Sequence, residues 1–454
     1  MKKKSKLKQV LTSIVLLSFL WILFFISKFT FEEEKNNNLN YIPSDAEVAL
    51  RINSNKLIKS SLFSVLFEAK DEKTIQKIKA FLQQKKTKGG DIKRSDLNLF
   101  SDIVIFSTPY KKGKMIGISF NLQDGNDFEE NMTPLLGENQ AIKTIDNVGF
   151  ILSYLNDSNT EVSRSELISF FNNSIKKKSI LVVNKNSVFQ IQTTGAVFGK
   201  SSYFSTSDLE INLLKSGIEL DGVFSISTKQ VANFTPSQLL LNSSKKDFHF
   251  STSIIPEEFQ DSIANLLKYI DCSLPKIKSI AFNYQGMTIK KDDAGMHPLP
   301  EIDLLLEFKS PFSIATFLKT SVFVEKIGAI YTNNELTIAQ ETYFIQQINA
   351  TTISIGKTKN LRLVKNKSNE LFSSKGNLSS LLKIEGGGII VSFLEITPLF
   401  HSSFELFNAL DKFNISICKT SRHQAKLKGN IVTKNGHSTI NEAIKFLFGV
   451  RAIQ

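Results

Sequence analysis

The chain has 454 residues, 41% of them hydrophobic, and a formal net charge of +13; at about 100 to 200 residues per domain it can build two or three apolar cores, which excludes a globally disordered polymer. Phenylalanine stands out, with 37 Phe against 8 Tyr and one Trp, and since each buried ring gains about 1.5 to 3 kcal/mol the chain demands large cores or an apolar cleft. The basic excess is diffuse, its Lys runs such as Lys176 to Lys178 read as solvated faces, and neither aromatic interleaving nor a reading helix accompanies them, so nucleic acid is not an expected partner.

In chain order, "MKKKSKLKQ" is followed by an uncharged run from Val10 to Ser27. As a helix rising 1.5 Å per residue this run nearly matches a hydrocarbon core of about 30 Å. It is longer than the 7 to 15 apolar residues of a cleaved signal peptide, and it ends in bulky "FFISKFTF" with no small-residue cleavage site. The expectation is a basic cytoplasmic tail at 1–9, a transmembrane anchor at 10–28 and a polar tether at 29–40. Lysines precede the span and Glu32 to Glu34 follow it, so the positive-inside rule places the bulk of the chain outside the cytoplasm, in the periplasm of a cell envelope.

Beyond the tether, "IPSDAE" is turn chemistry and "EVALRIN" alternates Val48, Leu50 and Ile52 on one face, a half-buried strand. Leu57, Ile58, Leu62 and Val65 continue at helical spacing. "NLFSDIVIFSTP" and "KMIGISFNLQDG" read as two strands joined by a turn, with a helix near Phe128 to Leu136. Strand then helix recurs at "LDGVFSIST", with "KQVANFTPSQLLL" partly helical. It recurs again at "DFHFSTSIIPEEFQDSIANLLKYI", with a helix from Pro256, and in "EIDLLLEFKSPFSIATFLKTSVF". A third, shorter instance runs from "EGGGIIVSFLEI" to "AKLKGNIVTKNGHSTINEAIKFLFG". The openings near Val48, Val223 and Ile389 are too widely spaced for a solenoid. They predict an α+β chain with an N-terminal transmembrane helix and duplicated mixed sheet-and-helix domains: a first domain at 41–215, a second at 216–380, and a C-terminal partial unit at 381–454 packing on the second.

The order "IPSDAEVALRINSNKLIKSS", then "DLNLFSDIVIFS", then "GISFNLQDGNDFEENM" resembles a family of bacterial envelope proteins of unknown function that begin with an IP.DA strand-helix unit just after a lipoprotein signal or anchor. The likeness covers about residues 41 to 136. It implies an address and a fold, and it carries over no active-site residue. The chain departs from the lipoprotein form because no Cys follows its apolar run, which favours a protein anchor over a lipid.

No constellation nominates a reaction. The histidines, His249, His297, His401, His423 and His437, show no helix-face metal pair. His249 sits between two Phe on a strand and reads as a satisfied or outward-facing side chain. His297, in "DDAGMHPLP", is placed on a loop with Asp292 and Asp293, and His423 and His437 flank a predicted hairpin. Gly386 to Gly388 precede a strand, whereas phosphate loops follow one. Cys272 and Cys418 lack a CxxC partner and read as two buried thiols or one long-range disulfide. The expectation is therefore no catalytic, cofactor-binding or metal residue, no cofactor, and an anchored protein whose ectodomain binds or scaffolds. Its partners are the membrane through the N-terminal helix, and other envelope proteins or an apolar ligand. An apolar-ligand or lipid-binding ectodomain and a hydrolase with a site built from scattered Ser, Asp and His residues are the alternatives.

Overall fold

The structure is a computed structural model that describes residues 37–57, 101–122, 128–156, 162–175, 187–194, 204–214, 216–228, 231, 234–242, 248–268, 273–292, 295–320, 322–326, 328–338, 341–359, 361–377, 384–385 and 410–434. The first part of the chain gives β1 (Val48–Ile52), β2 (Ile103–Tyr110), β3 (Gly113–Asn121), α1 (Phe128–Met132), β4 (Gln140–Ile145), β5 (Val148–Asn156), α2 (Arg164–Ser174), β6 (Phe189–Thr194), β7 (Phe204–Leu214) and β8 (Gly217–Ile226). Then follow β9 (Leu239–Leu241), β10 (Phe248–Thr252), α3 (Glu257–Lys268), β11 (Ile277–Asp292), β12 (Gly295–Phe308), α4 (Ile314–Thr320), α5 (Phe323–Lys326), β13 (Ala329–Thr332), β14 (Glu335–Ile338), β15 (Glu341–Asn349) and β16 (Thr352–Gly356). The chain closes with β17 (Leu363–Lys365), β18 (Glu370–Asn377), β19 (Ile384–Glu385), β20 (Leu410–Ser421) and β21 (Gln424–Thr433).

Nineteen strands share one sheet. Following the pairings, eighteen run in a single antiparallel line: β4-β5-β3-β2-β1-β6-β7-β8-β21-β20-β18-β10-β11-β12-β16-β15-β14-β13. The short β19 adds to β11 in parallel. A separate ribbon pairs β9 with β17.

This corrects the α+β expectation. The described residues are 58% strand and 18% helix, and the helices are short pieces laid on an antiparallel sheet. Strand-then-helix patterns arise because hairpins are punctuated by such pieces; helices do not connect parallel strands. Leu239–Leu241, read as partly helical, is strand β9: its backbone groups are satisfied by β17. Among the described residues no helix is long and apolar enough to cross a membrane; the span expected at 10–28 lies outside them. Of the three expected openings, Val48 begins β1, Val223 falls inside β8, and Ile389 lies outside the described residues. The residue 215/216 boundary falls between β7 and β8, which pair along their length.

The line of strands repeats itself. β4-β5-β3-β2-β1-β6-β7-β8 has the same connectivity as β15-β16-β12-β11-β10-β18-β20-β21, and the two halves meet where β8 pairs antiparallel with β21. β1 and β10 hold the same place, and both show buried residues only at their second and fourth positions.

Alternation sets the two faces, since neighbours across paired strands point the same way. On one face a row runs Ile353, Leu306, Ile280, Thr252, Phe372, Ile417, Leu427, Gly222, Leu209, Ile191, Leu50, Ile105, Ile118, Ile151, Ile142. Helices pack on its two ends: α1 through Phe128 and Ile142, and α4 through Ile314 and Leu318 against Ile353 and Ile345. On the other face the central strands are polar, with Ser373, Ser416, Lys428, Asp221, Glu210 and Gln190 in consecutive register.

Away from the centre the polar face is covered too. In the first half α2 lies on it, its Phe171 stacked on Phe106 at 6.0 Å and tilted against Phe150 at 4.8 Å. A capping box starts α2, since Ser163 Oγ accepts from the Glu166 amide while the Glu166 carboxylate accepts from the Ser163 amide. In the second half the β9–β17 ribbon takes the equivalent position through Leu241 over Ala281 and Leu305. Two hairpins turn on residues with positive φ, Asp146-Asn147 and Asn333-Asn334, where short polar side chains tolerate the left-handed region.

Candidate functional site

Two places in the described structure concentrate side chains in ways the framework does not require. The first lies under the β9–β17 ribbon. There β10 alternates Phe248, Phe250 and Thr252 on one side with His249 and Ser251 on the other, and the second set is buried. The equivalent positions of β1 hold Ala49 and Arg51, so polar groups occupy positions that are partly apolar in the first half.

Each polar group has a framework partner. Asn283 Nδ2 donates to the Asn242 carbonyl at 3.2 Å, so its Oδ1 accepts from His249 Nδ1 at 2.8 Å. Burial holds His249 below its ordinary pKa of 6.5, so the ring is neutral at pH 7. Ser251 Oγ donates to Glu370 at 3.1 Å, and burial pushes the Glu370 carboxyl up while Ser251, Lys375 and Ser373 pull it back. Asn366 then ties the ribbon to β18: its Nδ2 donates to the carbonyls of Ser237 and Glu370, both at 2.9 Å, and its Oδ1 accepts from the Glu370 amide at 2.9 Å. The cavity lined by Ser237, Ser251, Ser253, Ser279 and Glu370 holds about 230 Å³ including the solvent at its mouth. Because that figure counts open solvent, the enclosed space is a small fraction of it, far below the roughly 300 to 1,000 Å³ of ligand pockets. Ser251 bonds the Glu370 carboxylate and not the imidazole, which is committed to Asn283, so no Ser–His pair forms in this cluster.

The second place is the apolar face of the central strands. Phe372, Phe250, Phe282, Phe248 and Phe413 form a continuous run with centroid spacings of 5.6, 5.2, 5.8 and 5.8 Å. All five are only half-buried. Beside them Ile415, Ile417, Leu427, Ile431, Ile218, Leu220, Leu209 and Ile211 are half-buried as well. Antiparallel sheets commonly pack one face and solvate the other. Here the packed-type face continues between the helices at its two ends. Its polar interruptions near the run are small, Thr252 and Ser374.

The residues singled out from the sequence do not converge. His249 and His423 are 174 positions apart in the chain and lie at different places, His249 inside β10 and His423 in the turn between β20 and β21. His297, expected on a loop with Asp292 and Asp293, is in β12 and pairs with Lys290 of β11, because the hairpin stays extended to Asp292 and Gly295. His401, His437, Cys272, Asp293 and the glycines 386–388 lie outside the described residues. Cys418 is a free thiol on β20, half-buried, and burial and the neighbouring Glu370 push its pKa up, away from thiolate reactivity. Among the described residues no group of three His, Cys, Asp or Glu could hold a metal ion. Glu370, Ser251 and Asn366 escaped the sequence reading because they match no motif; the signal available was the alternation in "FHFST" and "ELFSSK".

No family model matches the chain, and no curated protein matches it. Solved structures of TP0453 are distantly similar. Crystal form I shows 8% identity and a TM-score of 0.23 over 55% of this chain and 92% of that one. Crystal form IV shows 8% identity and a TM-score of 0.24 over 46% and 89%.

Proposed function

We propose that this chain is a membrane-anchored envelope protein whose ectodomain binds a hydrocarbon chain, such as a lipid acyl group, along the Phe-lined face of its central strands. The observation that carries the reading is the half-buried run Phe372, Phe250, Phe282, Phe248, Phe413 on an apolar face bounded by helices. Aromatic and aliphatic groups with few polar interruptions offer dispersion and area burial and no hydrogen-bond readout, which suits an apolar chain and not a charged metabolite.

The sequence supports the location. An apolar run at 10–28 and the polar residues 29–36, at most about 3.6 Å per residue, would keep the first folded residues, Asn37 to Tyr41, within roughly 30 Å of the bilayer. The reading assigns binding and no reaction, because the buried His249 and Ser251 are engaged with framework partners, Asn283 and Glu370.

The test is photolabelling of the detergent-solubilised full chain with a diazirine-bearing C16 fatty acid, the labelled peptides being mapped by mass spectrometry. Labels are expected on peptides containing Phe248 to Phe250, Phe372 or Phe413. Labels confined to residues 10–28 would overturn the ectodomain site. A reporter fused after Gln454 that is active in the cytoplasm would overturn the location.

A further inference from the structure

An open line of strands has two edges, here β4 and β13, and the fold treats them differently. At β4 the hairpin closes at Ile145 and Val148 around Asp146-Asn147, so Gln140, Ile142 and Thr144 turn their backbone groups outward. The Thr144 amide donates to Glu129 Oε1 of α1 at 2.5 Å, and the Gln140 amide donates to the Gly137 carbonyl at 3.3 Å. Ile142 is buried in a cluster with Phe128, and Lys143 Nζ lies 3.7 Å from Glu129 Oε1. A helix and a pair of charges guard this edge, which is how stable proteins keep sheets from joining.

At β13 no such guard stands among the described residues. Its hairpin closes at Thr332 and Glu335 around Asn333-Asn334, so Thr332 and Ile330 bond to β14 while Ala329 and Tyr331 turn their amides and carbonyls away from the sheet. The Asn334 carbonyl accepts from the Ile345 amide on the far side of β14, which fixes the same alternation. None of the outward groups of β13 has a hydrogen-bond partner among the described residues. The strand "AIYT" has no charge, proline or bulge, and its Ile330 is 68% exposed, the most exposed large hydrophobic side chain among the described residues. Ala329 and Tyr331 pack on the helix side with Val324 of α5, so Ile330 projects from the opposite side.

We propose that β13 pairs with β13 of a second copy of this chain, antiparallel and centred on Ile330. In that register Ala329 of each copy exchanges both backbone bonds with Tyr331 of the other, which uses every outward group of the strand. Ile330 meets Ile330 of the second copy on the two-fold axis as a non-hydrogen-bonded pair, where Cα atoms approach to about 4.5 Å and the side chains touch on one face. Thr332 falls opposite Gly328 of the second copy, beside which there is open space. A second copy fits because the edge is its own complement, supplying the donors, the acceptors and the apolar side chain that covers Ile330. The pairing also closes the assembly at two, since the two-fold consumes both β13 edges and leaves the guarded β4 edges at the ends. Such short edges bury less than the roughly 1,000 Å² of a tight complex, so the dimer is a reversible one. The inference does not rest on the ligand reading, because β12, β16, β15 and β14 separate β13 from β11, the nearest strand of the Phe run.

The test uses the full chain in detergent with Cys272→Ser and Cys418→Ser as background. Ile330→Cys is expected to give a disulfide-linked dimer on mild oxidation, since facing Cβ atoms at such a pair lie within disulfide range. Leu155→Cys, at a position on β5 that is 56% exposed, is expected to stay monomeric. No dimer from Ile330→Cys, or as much dimer from Leu155→Cys, would overturn the pairing. So would oxidation of whole cells that links Ile330→Cys to a different protein and not to itself, which would assign the edge to a foreign strand. Sedimentation of the parent chain should show a dimer whose fraction rises with concentration. Ile330→Lys sets like charges face to face on the axis, leaves the β13–β14 bonds untouched and is expected to weaken dimerisation by about tenfold or more. A parent chain that stays monomeric at every concentration, or a dimer that Ile330→Lys leaves intact, counts against the proposal.

Discussion

Arg51 and Asp102 form an ion pair of 2.6 Å between Nε and Oδ2, inside the sheet and with side chains only 2% and 3% exposed. The pair bridges β1 to the residue just before β2, and the Asp102 carbonyl accepts from Asn38 Nδ2 at 2.6 Å, which pins the turn that enters the fold. Burial pushes the Asp102 carboxyl up, and the opposing pull of Arg51 offsets this only in part.

Removing one partner should therefore cost more than removing both. Asp102→Ala removes the carboxylate that faces the buried Arg51 guanidinium and is expected to destabilise by about 3 to 5 kcal/mol. Arg51→Met with Asp102→Leu should recover most of that loss. The check is the midpoint of urea unfolding for the single and the double variants. A double variant no better than Asp102→Ala would contradict this expectation and show that the pair itself carries the stability.

Gly117 on β3 faces Phe106 on β2, and the Phe106 ring occupies the space that a Cβ would need. The same ring stacks on Phe171 of α2, so it has little room to yield. Gly117→Ala is expected to destabilise by about 1 to 3 kcal/mol through overpacking. Combining it with Phe106→Leu should return part of the loss, although Phe106→Leu alone is itself destabilising. Thermal melts of the four-member cycle measure this coupling, and simple additivity would contradict the contact.

The sheet was legible wherever one face is apolar and the other polar. β1 "VALRI", β2 "IVIFSTPY" and β8 "GIELDGVFSI" alternate cleanly, and each is a strand at the place where the pattern puts it. The number of strands was not legible. β6 "FQIQTT" carries few apolar residues, β15 "ETYFIQQIN" places Tyr343, Phe344 and Ile345 consecutively instead of alternating them, and the order that joins Leu427 to Gly222 depends on contacts between distant parts of the chain. Helical patterns such as "EEFQDSIANLLK" were read correctly as a helix but overweighted as a sign of fold class, because a 12-residue helix laid on a sheet shows the same periodicity as one that connects parallel strands. The candidate sites divide in the same way. The excess of Phe foretold an apolar core or cleft; that five rings from four strands would meet on one face required the register.

Glu370 and His249, both on the face under the β9–β17 ribbon, should tilt stability in opposite directions with pH. Burial raises the folded Glu370 pKa above its ordinary 4.5, so its contribution is complete below that value and is lost as pH rises through the raised one. Burial lowers the folded His249 pKa below 6.5, so its contribution is present above 6.5 and is lost as pH falls through the lowered one. Glu370→Gln keeps an acceptor for Ser251 and removes the buried charge. It should melt higher than the parent near neutral pH, with the gap closing on acidification toward the ordinary carboxylate range. His249→Asn loses the bond to Asn283 and should melt lower at pH about 8, with its deficit shrinking as pH falls below about 6.5. Melting temperatures of the parent and both variants across that range decide the matter. A gap for Glu370→Gln that does not change with pH would mean that the carboxyl titrates alike in the folded and unfolded chain, and the buried Ser251–Glu370 bond would then have to be solvated.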